Sequence, residues 1–143
     1  MKIPNFQMEG VYIKNEGRWE MSLKKEEIER FKRELTSLRK VHQEAFDGTA
    51  NDVKTPDEAR GTSQHHADEG TEDFNRTISI EVTAKELDVI KQIDRALEKI
   101  EEGTYGVCDV TGDAIPLKRL EAIPYATMTR DAQDKFEKGK LQY

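Results

Sequence analysis

Apolar residues recur early in the chain at alternating spacings of three and four. This pattern puts them on one narrow helix face, a heptad seam that packs against one partner helix. We expect Ser22 to cap this first helix and Gly48 to end it, with acidic Glu26 and Glu27 in the first turns. The seam consists of Ile28, Phe31, Leu35, Leu38, His42 and Ala45. Its polar member, His42, is interpreted as a tolerated seam residue rather than a ligand.

A second apolar stripe predicts another helix, from about Phe74 to Glu102, with Gly103 at its C-terminal cap. The stripe consists of Leu87, Ile90, Ile93, Leu97 and Ile100. Near the start of this helix, the segment TISIEVT (77–83) alternates and is β-branched like a strand. We assign it as helix, because a lone strand would have no partner for its backbone groups.

The segment between the two helices, residues 50–73, contains one proline, two glycines and few apolar side chains, and is predicted to be a loop. Residues 22–103 are therefore expected to form a long antiparallel helical hairpin, a coiled coil with arms of roughly 40 Å and this loop at its tip. The chain offers no third long amphipathic helix to complete an ordinary bundle. The predicted fold class is mainly α.

Beyond the hairpin, residues 104–143 are predicted to form a compact module with short extended pieces, a turn at Thr111 and Gly112, and a final helix from Thr129 to Lys138. Its rhythm is that of a small zinc ribbon, although Cys108 is the only cysteine in the chain. We expect Cys108 to be a buried core residue beside a small apolar cluster. That cluster consists of Val107, Ile115, Leu120, Ile123, Tyr125 and Phe136.

Residues 1–21 are expected to be a poorly structured tail, with Met21 as an alternative start. A single cysteine, the lack of a run of ~20 apolar residues and the lack of an apolar signal core favour the cytoplasm. The net charge is −6, and residues 50–73 carry seven acidic against two basic residues. A duplex-DNA-binding protein would show a basic face instead, so direct DNA binding is not expected.

The C-terminal third carries a family resemblance. The segments ALEKIEEGTYGVC (96–108) and RLEAIP (119–124), with the turn between them, resemble the DksA/TraR family of bacterial transcription regulators. The resemblance covers roughly residues 22–140. It implies a protein that is not an enzyme, binds RNA polymerase and inserts its hairpin into the secondary channel, so that the tip approaches the catalytic centre. Such proteins alter initiation, often together with guanosine tetraphosphate.

The family holds zinc with two Cys-x-x-Cys knuckles, and this chain departs from both. The first knuckle ends with Thr111 instead of a second cysteine, and the second has Thr129 and Ala132 at its two ligand positions. Only Cys108 of the four ligands remains. Because tetrahedral zinc needs four ligands, we predict that the module binds no zinc and that the two threonine hydroxyls bond backbone groups instead.

The family's tip motif, Asp-x-x-Asp-x-Ala, has its best counterpart at residues 65–70. Asp68 is retained, while His65 replaces the other acid and Gly70 the alanine; Glu69 also lies at this polymerase-channel tip. The family's nucleotide pocket uses basic residues at positions that hold Gln92, Ile123 and Gln133 here. Attraction for a polyphosphate is weaker without those charges, so the response to guanosine tetraphosphate is doubtful.

Two other functions were weighed. The second hypothesis is a helical-hairpin adaptor, or a self-associating protein, that does not bind RNA polymerase. A metal-dependent enzyme built on His65, His66, Asp68 and Glu69 is the third hypothesis. An exposed loop supplies no dry, preorganised cavity for such chemistry, so a solvated polar loop is the favoured interpretation.

Overall fold

The computed structural model of the chain describes the backbone of residues 10–15, 18–54 and 66–139, and the side chains of residues 23–51 and 70–139. The elements within these residues are β1 Gly10–Asn15, β2 Arg18–Lys24, α1 Lys25–Lys54, α2 His66–Glu102, α3 Leu117–Ala122 and α4 Arg130–Glu137. The fold is mainly helical, and α1 and α2 form the predicted hairpin. None of the described helices is long and apolar enough to cross a membrane.

The chain divides into two compact units. The first comprises residues 1–38 and 91–143, which include the N-terminal strands, one end of each hairpin helix and the C-terminal module. The second comprises residues 39–90, which include the remainder of the two hairpin helices.

The core of the first unit forms where the predicted seams are apolar. Phe31 and Leu35 of α1 are fully buried, as are Ile93 and Ala96 of α2. The ring of Tyr105 lies 5.5 Å from that of Phe31, centroid to centroid, so the chain that leaves α2 packs directly on α1. Burying large side chains of this kind contributes roughly 1.5–3 kcal/mol each, which makes this seam the main source of cohesion in the unit.

The N-terminal region differs from the expected tail. Strands β1 and β2 pair antiparallel, with Asn15 opposite Arg18 and Gly10 opposite Lys24. β1 contains the consecutive β-branched and aromatic residues Val11, Tyr12 and Ile13, which favour a strand, and β2 has apolar residues at alternate positions, namely Trp19, Met21 and Leu23. Leu23 at the end of β2 is buried, and this contact anchors the ribbon on the first unit. The tail prediction missed the ribbon because Leu23 packs close to Gly106, far along the chain, and no local pattern indicates such a contact.

The helix ends also differ from expectation. Ser22 lies in β2, and the start of α1 is capped by Glu27, whose Oε2 accepts the N–H of Lys24 at 2.9 Å. Gly48 lies inside α1, which continues to Lys54, and α2 begins at His66 instead of Phe74. Solvent-exposed helix tolerates a glycine at a cost of about 1 kcal/mol, so Gly48 does not end the helix. Residues 50–54 and 66–73 of the predicted tip loop are therefore helical, and residues 55–65 lie outside the described residues.

The C-terminal end of α2 follows the prediction. Gly103 adopts a φ of 77°, and the N–H of Thr104 bonds the carbonyl of Lys99 at 2.8 Å while that of Gly103 bonds Ile100 at 3.3 Å. These two bonds form a Schellman cap. They turn the chain out of α2 and into the module.

Within the module, Thr129 caps α4 as predicted, and Val107 and Ala114 form a β-bridge around the turn. Residues 117–122 form the short helix α3, which the sequence analysis did not assign. Ile115 and Leu120 are buried, as expected of the apolar cluster, but Phe136 is 37% exposed. The short helix α4 buries Ala132 against the module, and Phe136 lies one turn further along that helix.

Candidate functional site

The residues predicted to form the polymerase-channel tip fall at the start of α2. The backbone of Asp68, Glu69 and Gly70 forms part of the first turns of this helix, whereas His65 lies outside the described residues. Gly70 is exposed, and an added Cβ would meet nothing within 4 Å. Carboxylates in the first turn of a helix are favoured by its dipole, so an acidic sequence suits this position. The acidic segment is therefore presented on a helix instead of on the loop that the sequence predicted.

The contact between the two helices in the second unit includes a polar pair, His42 and Glu86, which we call the polar seam. His42 Nδ1 of α1 lies 2.6 Å from Glu86 Oε2 of α2, and this contact joins the two helices. Ser79 and Thr83 are half-buried, while Ile80 and Val82 between and beside them are exposed. The segment TISIEVT thus forms helix, and the hydroxyls of Thr77 and Thr83 donate to the carbonyls of Asp73 and Ser79 one turn earlier in the same helix. His42 is a seam residue, as predicted, but it has a specific carboxylate partner that the sequence analysis did not identify.

The four former zinc-knuckle positions cluster in the module. Cys108 is 3% exposed, and Ala132 is buried. The hydroxyl of Thr111 accepts the N–H of Asp113 at 3.3 Å, and that of Thr129 accepts the N–H of Ala132 at 3.3 Å. Each threonine hydroxyl therefore satisfies a backbone donor within its own turn.

Several hydrogen-bond donors surround the sulfur of Cys108. Burial raises the pKa of the Cys108 thiol and is the largest single effect. Hydrogen bonds from the Thr111 hydroxyl and from the backbone N–H groups of Thr111, Thr129 and Val110 act in the opposite direction and together outweigh it, so the net pKa is lowered. The backbone retains a turn shape suited to a thiolate, although only one thiol is present.

These residues do not fit a structural zinc ion. Such sites use four thiolate or imidazole ligands, and the knuckle positions supply one thiol, two hydroxyls already bonded to backbone N–H groups, and a methyl. Among the residues that the structure describes, no group of three or more His, Cys, Asp or Glu side chains could hold a metal ion.

A charged cluster lies beside Cys108, and the sequence analysis missed it. Lys99 of α2 is only 1% exposed. Its Nζ donates to the carbonyl oxygen of Val107 and lies 2.8 Å from Asp109 Oδ1. Arg95 approaches the same carboxylate with Nη2 3.2 Å from Oδ1 and Nε 3.3 Å from Oδ2. We call Arg95, Lys99 and Asp109 the charge clamp.

The electrostatics of the charge clamp agree with ionised partners. Burial raises the pKa of Asp109, but hydrogen bonds from Lys99 and Arg95 and the charges of both residues lower it, and the net direction is downward. The hydrogen bond with Asp109 is likewise the main cause that raises the pKa of Arg95. Arg95 also contacts Glu98 and Glu102, each at 3.3 Å, and these contacts hold it along the exposed side of α2.

Two of the positions that the family resemblance assigns to the nucleotide pocket, Ile123 and Gln133, lie in the module. Gln133 accepts a hydrogen bond from Arg119 and donates to Glu137 at 2.9 Å, so its amide is fully engaged. Ile123 lines a concavity of about 670 Å³ between α3 and α4. Basic and acidic side chains share the lining of this concavity, namely Lys118, Arg119, Arg130 and Lys135 with Asp113 and Asp131.

Comparison with known proteins gives consistent matches. The family model for the prokaryotic dksA/traR C4-type zinc finger matches residues 103–138. General stress protein 16O of Bacillus subtilis is 37% identical over 120 residues, which cover 82% of this chain and 72% of that protein. The RNA polymerase-binding transcription factor DksA of Caulobacter vibrioides is 39% identical over 72 residues, which cover 50% of this chain and 51% of that protein.

Two solved structures are also similar. The RNA polymerase binding protein and transcriptional regulator Dks of Chlamydia trachomatis matches with a TM-score of 0.53 and 39% identity, over 85% of this chain and 99% of that one. The transcription factor DksA2 of Pseudomonas aeruginosa matches with a TM-score of 0.65 and 28% identity, over 81% of this chain and 87% of that one. Both neighbours support the hairpin-plus-module architecture.

Proposed function

The chain belongs to the DksA/TraR family, and on that premise we propose that it binds RNA polymerase and inserts the tip of its hairpin into the secondary channel to modulate initiation. The observation that carries this proposal is the conjunction of the α1–α2 hairpin with a C-terminal module that matches the family model. The names of similar proteins, which describe binding to RNA polymerase, point the same way. The proposed role is non-enzymatic and places the protein in the cytoplasm with the polymerase.

In this proposal Asp68 is the residue that acts at the catalytic centre. A carboxylate there can contact basic polymerase residues or alter the surroundings of the bound metal ions. Glu69 and Gly70 follow it on the first turns of α2, and His65 precedes it in sequence. Affinity, by contrast, is expected to come from the hairpin and the module, which supply most of the surface.

The test separates the effect of the protein on transcription from its binding to core polymerase. Asp68→Asn should abolish the effect on transcription from a responsive promoter while core polymerase is bound with nearly unchanged affinity. Asp73→Asn, an exposed acid further along the same helix, is the matched control and should keep full activity. Unchanged activity of the Asp68→Asn variant would contradict the placement of this residue. Failure of the unmodified chain to bind core polymerase would contradict the proposed function itself.

We further propose that the protein performs this role without zinc. The support is the poor fit of the four knuckle positions to a tetrahedral ion, together with the hydroxyl-to-backbone bonds that occupy Thr111 and Thr129. The family match to a four-cysteine zinc finger therefore concerns the shape of the module more than its ligand set.

A further inference from the structure

A module of this size needs something to fix its turns to the rest of the unit. Zinc-ribbon modules use the metal for this purpose, because four bonds converge on one atom and tie distant turns together. In the present chain the corresponding convergence point is the carboxylate of Asp109, the residue directly after Cys108. We propose that the charge clamp of Arg95, Lys99 and Asp109 takes the place of the metal as the point that holds the turns of the module, and that it does so by fixing them to α2.

The contacts of Asp109 reach two other segments of the chain. Its side chain bonds Lys99 and Arg95 of α2, and its backbone N–H bonds the carbonyl of Thr127 at 2.9 Å. Thr127 lies two residues before Thr129, the start of the former second knuckle. One residue therefore joins the first knuckle to the chain that leads into the second knuckle, as a knuckle-bound ion would, and in addition ties this part of the module to α2.

The burial of Lys99 adds a free-energy cost that the rest of the charge clamp has to offset. An ionised ammonium group removed from water is costly unless charge and hydrogen bonds compensate it, and here the Asp109 carboxylate and the Val107 carbonyl do so. Among the described residues, no buried side-chain nitrogen or oxygen lacks a hydrogen-bond partner. Removal of Asp109 would leave the buried Lys99 ammonium without a carboxylate partner, whereas removal of Lys99 would take from Asp109 one of its two cationic partners and leave Arg95 in place. In both cases the loss exceeds that of a surface ion pair.

The consequence is a module whose integrity does not depend on metal supply. Relatives with a four-cysteine site lose coordination when zinc is removed or when thiols are oxidised. Neither event affects a lysine–carboxylate contact, and the one thiol present, Cys108, is buried. This inference does not rest on polymerase binding, because it concerns only contacts within the first unit.

The first experiment uses the unmodified full chain. Elemental analysis of the purified protein should find far less than one zinc per chain, and the melting temperature should be the same before and after incubation with a strong chelator. Stoichiometric zinc whose removal lowers the melting temperature would overturn the proposal, whatever the polymerase assays show.

The second experiment removes the charge clamp. Asp109→Asn should lower the melting temperature by roughly 10 °C, because it leaves the buried Lys99 ammonium without its carboxylate. Lys99→Met should lower it by a smaller amount, roughly 5 °C, because Asp109 keeps Arg95 as a partner. Asp113→Asn, an exposed acid in the same loop, is the matched control and should lie within about 2 °C of the unmodified chain. The double variant Lys99→Met/Asp109→Asn should lose less than the sum of the two single losses.

A local measurement identifies where the stability is lost. Hydrogen exchange in peptides from residues 105–127 should rise in the clamp variants, while exchange in peptides from residues 70–88 should not change. If Lys99→Met fails to fold, Arg95→Gln provides a milder variant with the same expected pattern, since Arg95 is partly exposed. Clamp variants that melt and exchange like Asp113→Asn would contradict the proposal.

Discussion

At the scale of single residues, Gly106 determines how closely β2 can approach the module. Its φ is 82°, and an added Cβ would lie 2.8 Å from Leu23 Cδ1 and 3.5 Å from Leu120 Cδ1. Leu23 is buried, so its side chain has little room to move away. A side chain at position 106 would therefore combine backbone strain with a steric clash.

We predict that Gly106→Ala destabilises the protein more than Gly112→Ala. Gly112 has a similar φ of 74° but open space around it, so its substitution carries only the left-handed strain of about 1–2 kcal/mol. Denaturant midpoints of the two variants give the difference. The double variant Leu23→Ala/Gly106→Ala should lose less than the sum of the single losses, because the smaller residue removes the clash. Equal midpoints for the two glycine variants would contradict the close approach of Leu23.

Tyr105 is the second residue whose chemistry gives a prediction. Its hydroxyl donates to the carbonyl of Pro124 at 2.7 Å, and burial, followed by the charge of Glu34, raises its pKa. The unfolded chain releases this proton near pH 10 while the folded protein retains it, so the contribution of Tyr105 to stability is complete below about pH 10 and is lost as the pH rises further.

Tyr105→Phe should therefore cost about 1 kcal/mol at pH 7, since the buried carbonyl of Pro124 loses its donor. The variant should also lose less stability than the unmodified chain between about pH 10 and pH 12. Urea unfolding at several pH values measures both effects. Parallel decline of the two proteins in this alkaline range would show that the hydroxyl ionises as easily in the folded state as in the unfolded chain.

Lys99 shows a limit of sequence analysis at this scale. Its neighbours in the chain include Ile100, a seam residue, and nothing in the spacing distinguishes Lys99 from a solvated helix lysine. What buries it is the return of the chain after Gly103, which brings Val107 and Asp109 against α2. Such a contact depends on the module's three-dimensional path and has no periodic signal. Cys108 was predictable as a buried residue, because the module retains the turns around it.

At the scale of elements, the hairpin has an apolar seam in one unit and a polar seam in the other. Period and spacing were sufficient to predict two helices and their pairing. The ends were not predictable, because the continuation of α1 past Gly48 and the early start of α2 depend on weak preferences. The strand-like segment 77–83 forms helix because the neighbouring helical pattern and the pairing with α1 override β-propensity.

The His42–Glu86 pair gives a prediction for the polar seam. The side chains are 25% and 23% exposed, so their contact is neither fully screened nor fully buried. Replacement of such a pair by apolar residues of similar size is often neutral or stabilising, whereas removal of one partner is destabilising. His42→Leu/Glu86→Leu should therefore raise the stability by about 1 kcal/mol, as it extends the apolar seam into the second unit.

The matched controls are the two single variants, each of which leaves one polar partner against a leucine and should be less stable than the double variant. Denaturant midpoints decide the order of the four proteins. A double variant less stable than the unmodified chain would show that the His42–Glu86 contact contributes more than apolar packing can replace. In that case the polar seam would be a stabilising feature of the hairpin.

At the scale of the whole molecule, the proposed function predicts a weak response to guanosine tetraphosphate. The positions that the family resemblance assigns to basic residues hold Gln92, Ile123 and Gln133, and Gln133 accepts a hydrogen bond from Arg119. Asp113 and Asp131 in the lining of the nearby concavity oppose a polyphosphate. A purified transcription assay with and without the nucleotide should show little added effect. Strong synergy would show that the remaining basic residues of the concavity suffice to bind it.

The most direct test of the central claim is the binding of the full chain to purified core RNA polymerase. We predict a stable complex that is displaced by a transcript-cleavage factor, because both proteins would occupy the secondary channel. A crosslinker placed at position 68 should then react with polymerase residues near the catalytic centre. Failure of the chain to bind polymerase, or binding that the cleavage factor does not displace and that leaves position 68 uncrosslinked, would contradict the account.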